Sequence, residues 1–115
     1  MLAFVFVASP VLSAQWLITT PVTDATFDRG GNIDGNGTGE ANQTFIIKVF
    51  VGTLQKQAVE ETVGPDENWQ NIIEPPNPDG VWTNASGTST GFYHIFKNGV
   101  MKDSRIIKIV NEDEA

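Results

Sequence analysis

The sequence predicts an all-β domain built as an antiparallel β-sandwich, and three observations support this prediction. Short segments alternate apolar and polar side chains, which is the periodicity of strands. Clusters of Gly, Pro, Asn and Asp separate these segments, as they do at turns. No segment shows convincing helical periodicity. Because 115 residues are enough for one domain with its own core, we expect about seven short strands packed as two sheets.

The first half of the chain contains a Gly-bearing segment followed by the longest apolar run. QWLITTPV and ATFD are short, and RGGN after them predicts a turn. NIDGNGTGE, residues 32–40, is expected to start a strand at Asn32, with glycines that permit a bulge and a tight turn. QTFIIKVFVG, residues 43–52, is a strand whose second face, with Ile46 and Phe50, is partly covered as well. Its first face carries Phe45, Ile47, Val49 and Val51.

The second half of the chain ends in a predicted β-hairpin. QKQAVEETV and WQNIIE flank the turn cluster GPDEN, and the proline-rich PPNPDG must be a loop. GFYHIFK is followed by Asn98-Gly99, a dipeptide that strongly predicts a two-residue hairpin turn. VMKDSRIIKIV is then the last strand. Residues 111–115, NEDEA, are an acidic tail that we expect to fray.

Residues 1–16 are apolar and are separate from the predicted sandwich, residues 17–110. The run from Leu2 to Ala8 is far shorter than the roughly 20 residues of a membrane-spanning helix. VLSA before Gln15 resembles the end of a secretory signal that would remove residues 1–14, although no Lys or Arg precedes the run. The alternative is an extended arm whose FVFV adds as a strand to another sheet edge. Both interpretations stay open, and we favour the arm.

Composition excludes several classes of function. The chain has 14 acidic and 7 basic side chains, a net charge of −7, which argues against nucleic acid as a partner. It has no cysteine, so disulfides and thiolate metal sites are excluded. With 40% hydrophobic residues, the chain is expected to fold into a globular domain.

The order of segments resembles that of bacterial and phage immunoglobulin-like domains. The matching segments are ITTPVTDATF, NIDGNGTG, TFIIKVFV, DENWQ, TGFYHIF and SRIIKIV, between about Leu17 and Val110. The resemblance implies an immunoglobulin-like antiparallel β-sandwich, here with an extended apolar N-terminal arm.

STGFYHI also resembles the tyrosine corner of immunoglobulin domains. The resemblance places Tyr93 at the corner and Ile95 where the core cysteine usually stands. Without a disulfide, we expect Trp69 or Trp82 to pack against Ile95 instead. Burial of one large aromatic side chain contributes about 2–3 kcal/mol.

The Gly-bearing segment is also a weak calcium candidate. A calcium loop of the EF-hand type needs alternating oxygen ligands, a glycine at its sixth position and a glutamate at its twelfth. Gly37 fits the sixth position, but Gln43 stands at the twelfth and cannot supply a bidentate carboxylate. We favour the alternative that this segment is an ordinary strand with glycines and binds no calcium. The candidate ligands are Asn32, Asp34, Asn36 and Glu40.

No motif indicates an enzyme. His94 is the only histidine and alternates with Phe92 and Phe96 on a predicted strand, a position more often structural than catalytic. The carboxylate pairs 60–61 and 66–67 lie in or near predicted turns. We therefore expect no catalytic residues and no cofactor apart from the calcium candidate.

The sequence thus predicts a non-enzymatic structural protein, a virion surface or capsid-decoration protein of a phage. Its partners would be other copies of itself, a major capsid protein or another surface protein, and it would have no membrane span. The alternative is a secreted or cell-surface immunoglobulin-like adhesin, pilus-type or carbohydrate-binding module, with residues 1–14 as a cleaved signal. Assembly through the arm would use Leu2, Phe4, Val5, Phe6 and Val7.

Overall fold

The computed structural model describes residues 15–111 as an all-β fold of two sheets. The predicted arm up to residue 14 and the tail from residue 112 lie outside the described residues. The strands are β1 (Leu17–Thr20), β2 (Thr26–Asp28), β3 (Ile33–Thr38), β4 (Thr44–Val51), β5 (Leu54–Thr62), β6 (Asn68–Ile73), β7 (Gly87–Lys97) and β8 (Val100–Asn111). The prediction of an all-β, two-sheet fold is confirmed.

One sheet has the strand order β1-β3-β6 and the other β2-β8-β7-β4-β5. All neighbouring strands are antiparallel except β2 and β8, which pair in parallel with Phe27 opposite Ile109. The prediction of a purely antiparallel arrangement is wrong at this pair. Its strands come from opposite ends of the chain, so no hairpin sets their relative direction.

A single apolar core lies between the two sheets. The predicted inner face of β4 is confirmed, because Phe45, Ile47 and Val49 are buried and Val51 is partly buried. Trp16, which the sequence assigned to the arm, also belongs to the core, with its ring 5.3 Å from that of Phe45. The core residues are Trp16, Ile18, Ile33, Phe45, Ile47, Val49, Val63, Trp69, Ile73, Trp82, Tyr93, Ile95, Ile107 and Ile109.

The hairpin predicted at Asn98-Gly99 joins β7 to β8. Lys97 is opposite Val100, so the turn has two residues. Asn98 and Gly99 both have positive φ, 54° and 79°, as the favoured two-residue hairpin turn requires. The hairpin prediction is confirmed.

A side-chain bridge joins the two sheets where β1 passes β8. The backbone N–H of Ile18 donates to Asp103 Oδ2 at 2.8 Å, and Arg105 Nη2 donates to the Ile18 carbonyl. Arg105 Nη1 also lies 3.0 Å from Asp103 Oδ1. The Asp103–Arg105 pair therefore bonds both backbone groups of Ile18, as a neighbouring strand would.

Candidate functional site

The outer side of the five-stranded sheet carries a group of aromatic and aliphatic side chains, which we call the aromatic face. It arises because successive side chains of a strand point to opposite sides of the sheet. Tyr93 and Ile95 point into the core, whereas the residues beside them on β7 point outward. β4 and β8 contribute in the same way, since Phe92 is opposite Phe50 on one side and Ile106 on the other. The aromatic face consists of Ile46, Phe50, Phe92, His94, Phe96 and Ile106.

His94 stands at the centre of the aromatic face. The centroid of its ring lies 5.4 Å from that of Phe50, 5.8 Å from that of Phe92 and 6.0 Å from that of Phe96. Its Nδ1 is 2.9 Å from Ser104 Oγ. These contacts hold the imidazole among aromatic rings, and a carboxylate that could orient it for catalysis is not among these partners.

The charge of His94 is suppressed by its surroundings. Burial lowers the pKa of His94 below its ordinary value, and the positive charge of Lys48 lowers the pKa further. The Lys48 ammonium lies 4.6 Å from the centre of the Phe96 ring, on the same face. His94 is therefore neutral at pH 7, and the charge beside it on this face is that of Lys48, its direct cross-strand partner.

The calcium candidate forms a regular strand. β3 is the middle strand of its sheet and is paired on both sides, and the strand interpretation of residues 33–38 is confirmed. Asn32, Asp34 and Asn36 are exposed, and alternate side chains along a strand lie about 7 Å apart, too far to surround one ion. Glu40 lies beyond the strand, where its Oε2 is 3.4 Å from Trp16 Nε1. Among residues 15–111, no group of three His, Cys, Asp or Glu side chains could hold a metal ion.

A groove of about 500 Å³ runs over β3 and β6, and we call it the Gly35 groove. Asn71 Nδ2 donates to Glu61 Oε1 at 2.7 Å, and the Thr62 N–H donates to Glu61 Oε2 at 2.9 Å. Both oxygens of this carboxylate are therefore engaged. The residues that line the groove are Asp34, Gly35, Asn36, Glu61, Gln70, Asn71 and Ile72.

Two buried polar atoms beside this groove have no hydrogen-bond partner among the described residues, Tyr93 Oη and Asn71 Oδ1. The Tyr93 side chain is fully buried, and a Cβ added at Gly35 would overlap its hydroxyl oxygen. Burial raises the pKa of Tyr93, and the Glu61 carboxylate raises it further, so the hydroxyl keeps its proton. Within residues 15–111, the Tyr93 hydroxyl therefore lacks the hydrogen bond that a tyrosine corner would make.

The sequence pattern indicated part of this site. Phe92, His94 and Phe96 alternate in the printed sequence, which suggested a structural histidine but did not indicate a shared face with β4 and β8. The close approach of the Tyr93 hydroxyl to β3 was missed, and the sequence signal for it is a glycine, Gly35, inside a strand. The assembly residues proposed between Leu2 and Val7 lie outside the described residues.

Comparison with known proteins gives no assignment. No protein-family model matches this chain, and no curated protein matches it significantly. Within the part of the chain that the structure describes, no helix is long and apolar enough to cross a membrane.

Proposed function

We propose that this chain is a non-enzymatic structural protein with an immunoglobulin-like fold that works by associating with other protein subunits. The strand orders support the immunoglobulin-like assignment. β1, β3 and β6 correspond to strands A, B and E of such a domain, and β8, β7, β4 and β5 follow the order G, F, C and C′. The core supports it as well, because Trp69, Trp82 and Ile95 share one buried cluster without a disulfide.

The single observation that carries the association proposal is the aromatic face. Ile106 is 45% exposed, and the other members are partly exposed on the side of the sheet that faces away from the core. Contiguous apolar side chains on a surface favour protein contacts, because association removes them from water at about 25 cal/mol per Å². Because His94 is neutral at pH 7, burial of its side chain does not require burial of a positive charge on the imidazole.

The proposed role of the arm and the proposed location of the protein are based on the sequence alone. Leu2, Phe4, Val5, Phe6 and Val7 would supply apolar anchors for a neighbouring subunit. The virion surface as the location rests on the resemblance to bacterial and phage immunoglobulin-like domains. Partners would be other copies of this chain or a capsid or surface protein.

A charge placed on the aromatic face tests the proposal. Ile106→Glu is expected to weaken self-association or partner binding at least tenfold, because a carboxylate resists burial without a partner. Leu54→Glu is the matched control, since Leu54 is an exposed apolar residue on β5 that does not belong to the aromatic face. Light scattering coupled to size-exclusion chromatography measures the association. An equal effect of the two substitutions would contradict a role of the aromatic face.

Intact-mass measurement of the native protein separates the arm from the secretory alternative. A chain that begins near Met1 supports a retained arm. A mature start at Gln15 would contradict the arm and favour the exported adhesin, pilus-type or carbohydrate-binding alternative.

A further inference from the structure

We propose that Asn98 is a site of spontaneous chemical modification, at which the side-chain amide is lost and aspartate and isoaspartate form in its place. The reacting partner is the backbone nitrogen of Gly99, in the turn between β7 and β8. This inference does not depend on the association proposal, because it uses only the chemistry of the turn.

The reaction joins the side chain of Asn98 to the backbone of the next residue. The Gly99 backbone nitrogen attacks Asn98 Cγ, and the new C–N bond closes a succinimide ring. The bond between Cγ and Nδ2 breaks, and the amide leaves as ammonia, which carries away the proton of the Gly99 N–H. Water then opens the ring at either carbonyl carbon and gives aspartate or isoaspartate. Water is the only co-reactant that these steps need.

The Asn98-Gly99 turn leaves both reacting groups accessible. The two residues are exposed and lie outside the β7–β8 ladder, which ends at the Lys97–Val100 pair. Apart from chain neighbours, no atom of the described residues lies within 4 Å of a Cβ built at Gly99. Glycine has no side chain that would shield its nitrogen or restrict the backbone. The attack at Asn98 therefore meets little steric resistance.

A second Asn-Gly dipeptide in the same chain, Asn36-Gly37, provides an internal comparison. The Asn36 side chain is exposed too, so side-chain exposure alone does not separate the two sites. Gly37, however, is buried on the middle strand of its sheet, opposite Ile18 on β1 and Trp69 on β6. A Cβ at Gly37 would lie 2.7 Å from Trp69 Cζ2, so the backbone has little room to reorient. The fold therefore favours reaction at Asn98 and protects Asn36.

Isoaspartate at position 98 would change the turn itself. The main chain of isoaspartate runs through its side-chain carbons, which lengthens the backbone before Gly99. The turn depends on positive φ at both of its residues, 54° and 79°, so the longer backbone does not fit the same hairpin. We expect the Lys97–Val100 pair to open more readily once isoaspartate has formed.

Peptide mapping by mass spectrometry tests the assignment. The full chain is kept at mildly alkaline pH, folded in buffer or unfolded in urea, and trypsin, which cleaves after Lys48 and Lys97, then separates the two sites. In the folded protein we expect Asn98 to react at least about tenfold faster than Asn36, because reaction at Asn36 requires β3 to open. In urea the two rates should become similar. Equal rates in the folded protein would overturn the proposal, and so would strong protection of Asn98 relative to the unfolded chain.

Two matched variants check the site by charge. Asn98→Asp has no side-chain amide at the proposed site, so its folded form should accumulate acidic products much more slowly than the wild type. Asn36→Asp should accumulate them at the rate of the wild type. Anion-exchange chromatography resolves these products, because each reaction adds one negative charge. Slower accumulation in Asn36→Asp, with none of that slowing in Asn98→Asp, would overturn the assignment.

Asn98→Asp also isolates the effect of the longer backbone. It adds the same charge as isoaspartate but leaves the length of the main chain unchanged. We expect the Val100 amide to exchange its hydrogen faster in the isoaspartyl form than in Asn98→Asp, because Val100 closes the hairpin opposite Lys97. Equal exchange in the two forms would overturn the proposed opening of the turn.

Discussion

At the scale of single residues, Gly35 on β3 has no room for a side chain. Its missing side chain leaves room for the Tyr93 ring, because an added Cβ would lie 2.7 Å from Tyr93 Cζ and 3.3 Å from the Thr20 carbonyl oxygen. Neither neighbour can move cheaply, since the tyrosine is fully buried and the carbonyl is backbone. A glycine is therefore required here by close approach and not by an unusual backbone angle.

Gly35→Ala is expected to lower the free energy of unfolding by about 1–3 kcal/mol, the usual effect of overpacking a core. Gly30→Ala is the matched control, because its nearest neighbour would be 3.8 Å from the added Cβ. Urea denaturation measures both free energies. Equal stability of the Gly35 variant and the wild type would contradict the close approach of Tyr93.

His94 gives the chain a pH-dependent stability. Its pKa is lowered in the folded state by burial and by Lys48, so the unfolded chain binds the proton more readily. Stability is therefore highest above the unfolded pKa of about 6.5. It falls as the pH drops below that value, until the folded form also protonates.

The pH dependence can be isolated because His94 is the only histidine. We expect the unfolding free energy of the wild type to fall between about pH 7 and pH 5. His94→Gln should lack the histidine contribution over that interval and show only the change that carboxylates cause. Denaturant titrations at several pH values measure both curves, and parallel curves would contradict a lowered pKa.

At the scale of elements, the attachment of β1 to β8 depends on side chains. Ile18 is 1% exposed, and its N–H has Asp103 as the acceptor on the side away from β3. The side chains of the Asp103–Arg105 pair are only 20% and 26% exposed, so the cost of removing both charges from water offsets much of their attraction. Its larger contribution comes from satisfying buried backbone groups.

Asp103→Ala is expected to cost about 1–3 kcal/mol, because it leaves the buried Ile18 N–H without an acceptor. Asp103→Asn retains an acceptor oxygen and should recover part of this loss. Hydrogen exchange at the Ile18 amide reports the contact directly, and slow exchange that persists in the alanine variant would rule out this bond.

Sequence patterns predicted the elements best where local chemistry decides the structure. The Asn98-Gly99 hairpin follows from positive φ at two adjacent residues, and the inner face of β4 follows from strict alternation. The parallel β2–β8 pair and the close approach of Tyr93 to Gly35 were not predicted, because both join segments far apart in the chain. The packing of Trp16 against Phe45 on β4 was not predicted for the same reason.

At the scale of the whole molecule, the proposal combines an acidic body with two apolar features. The net charge of −7 makes copies of the chain repel each other at low salt. Association must therefore come from the burial of apolar side chains at the contact. The aromatic face offers one such surface, and the proposed arm offers another. Each is expected to contribute, because single apolar patches of small area seldom hold subunits together.

Sedimentation velocity of the full chain beside a chain lacking residues 1–14, each over a range of concentrations, tests the central proposal most directly. The proposal predicts that the full chain forms oligomers as the concentration rises, alone or with its partner protein, and that the shortened chain sediments as a folded monomer. A full chain that stays monomeric with and without that partner would contradict association through the apolar arm. A shortened chain that assembles equally well would contradict it too.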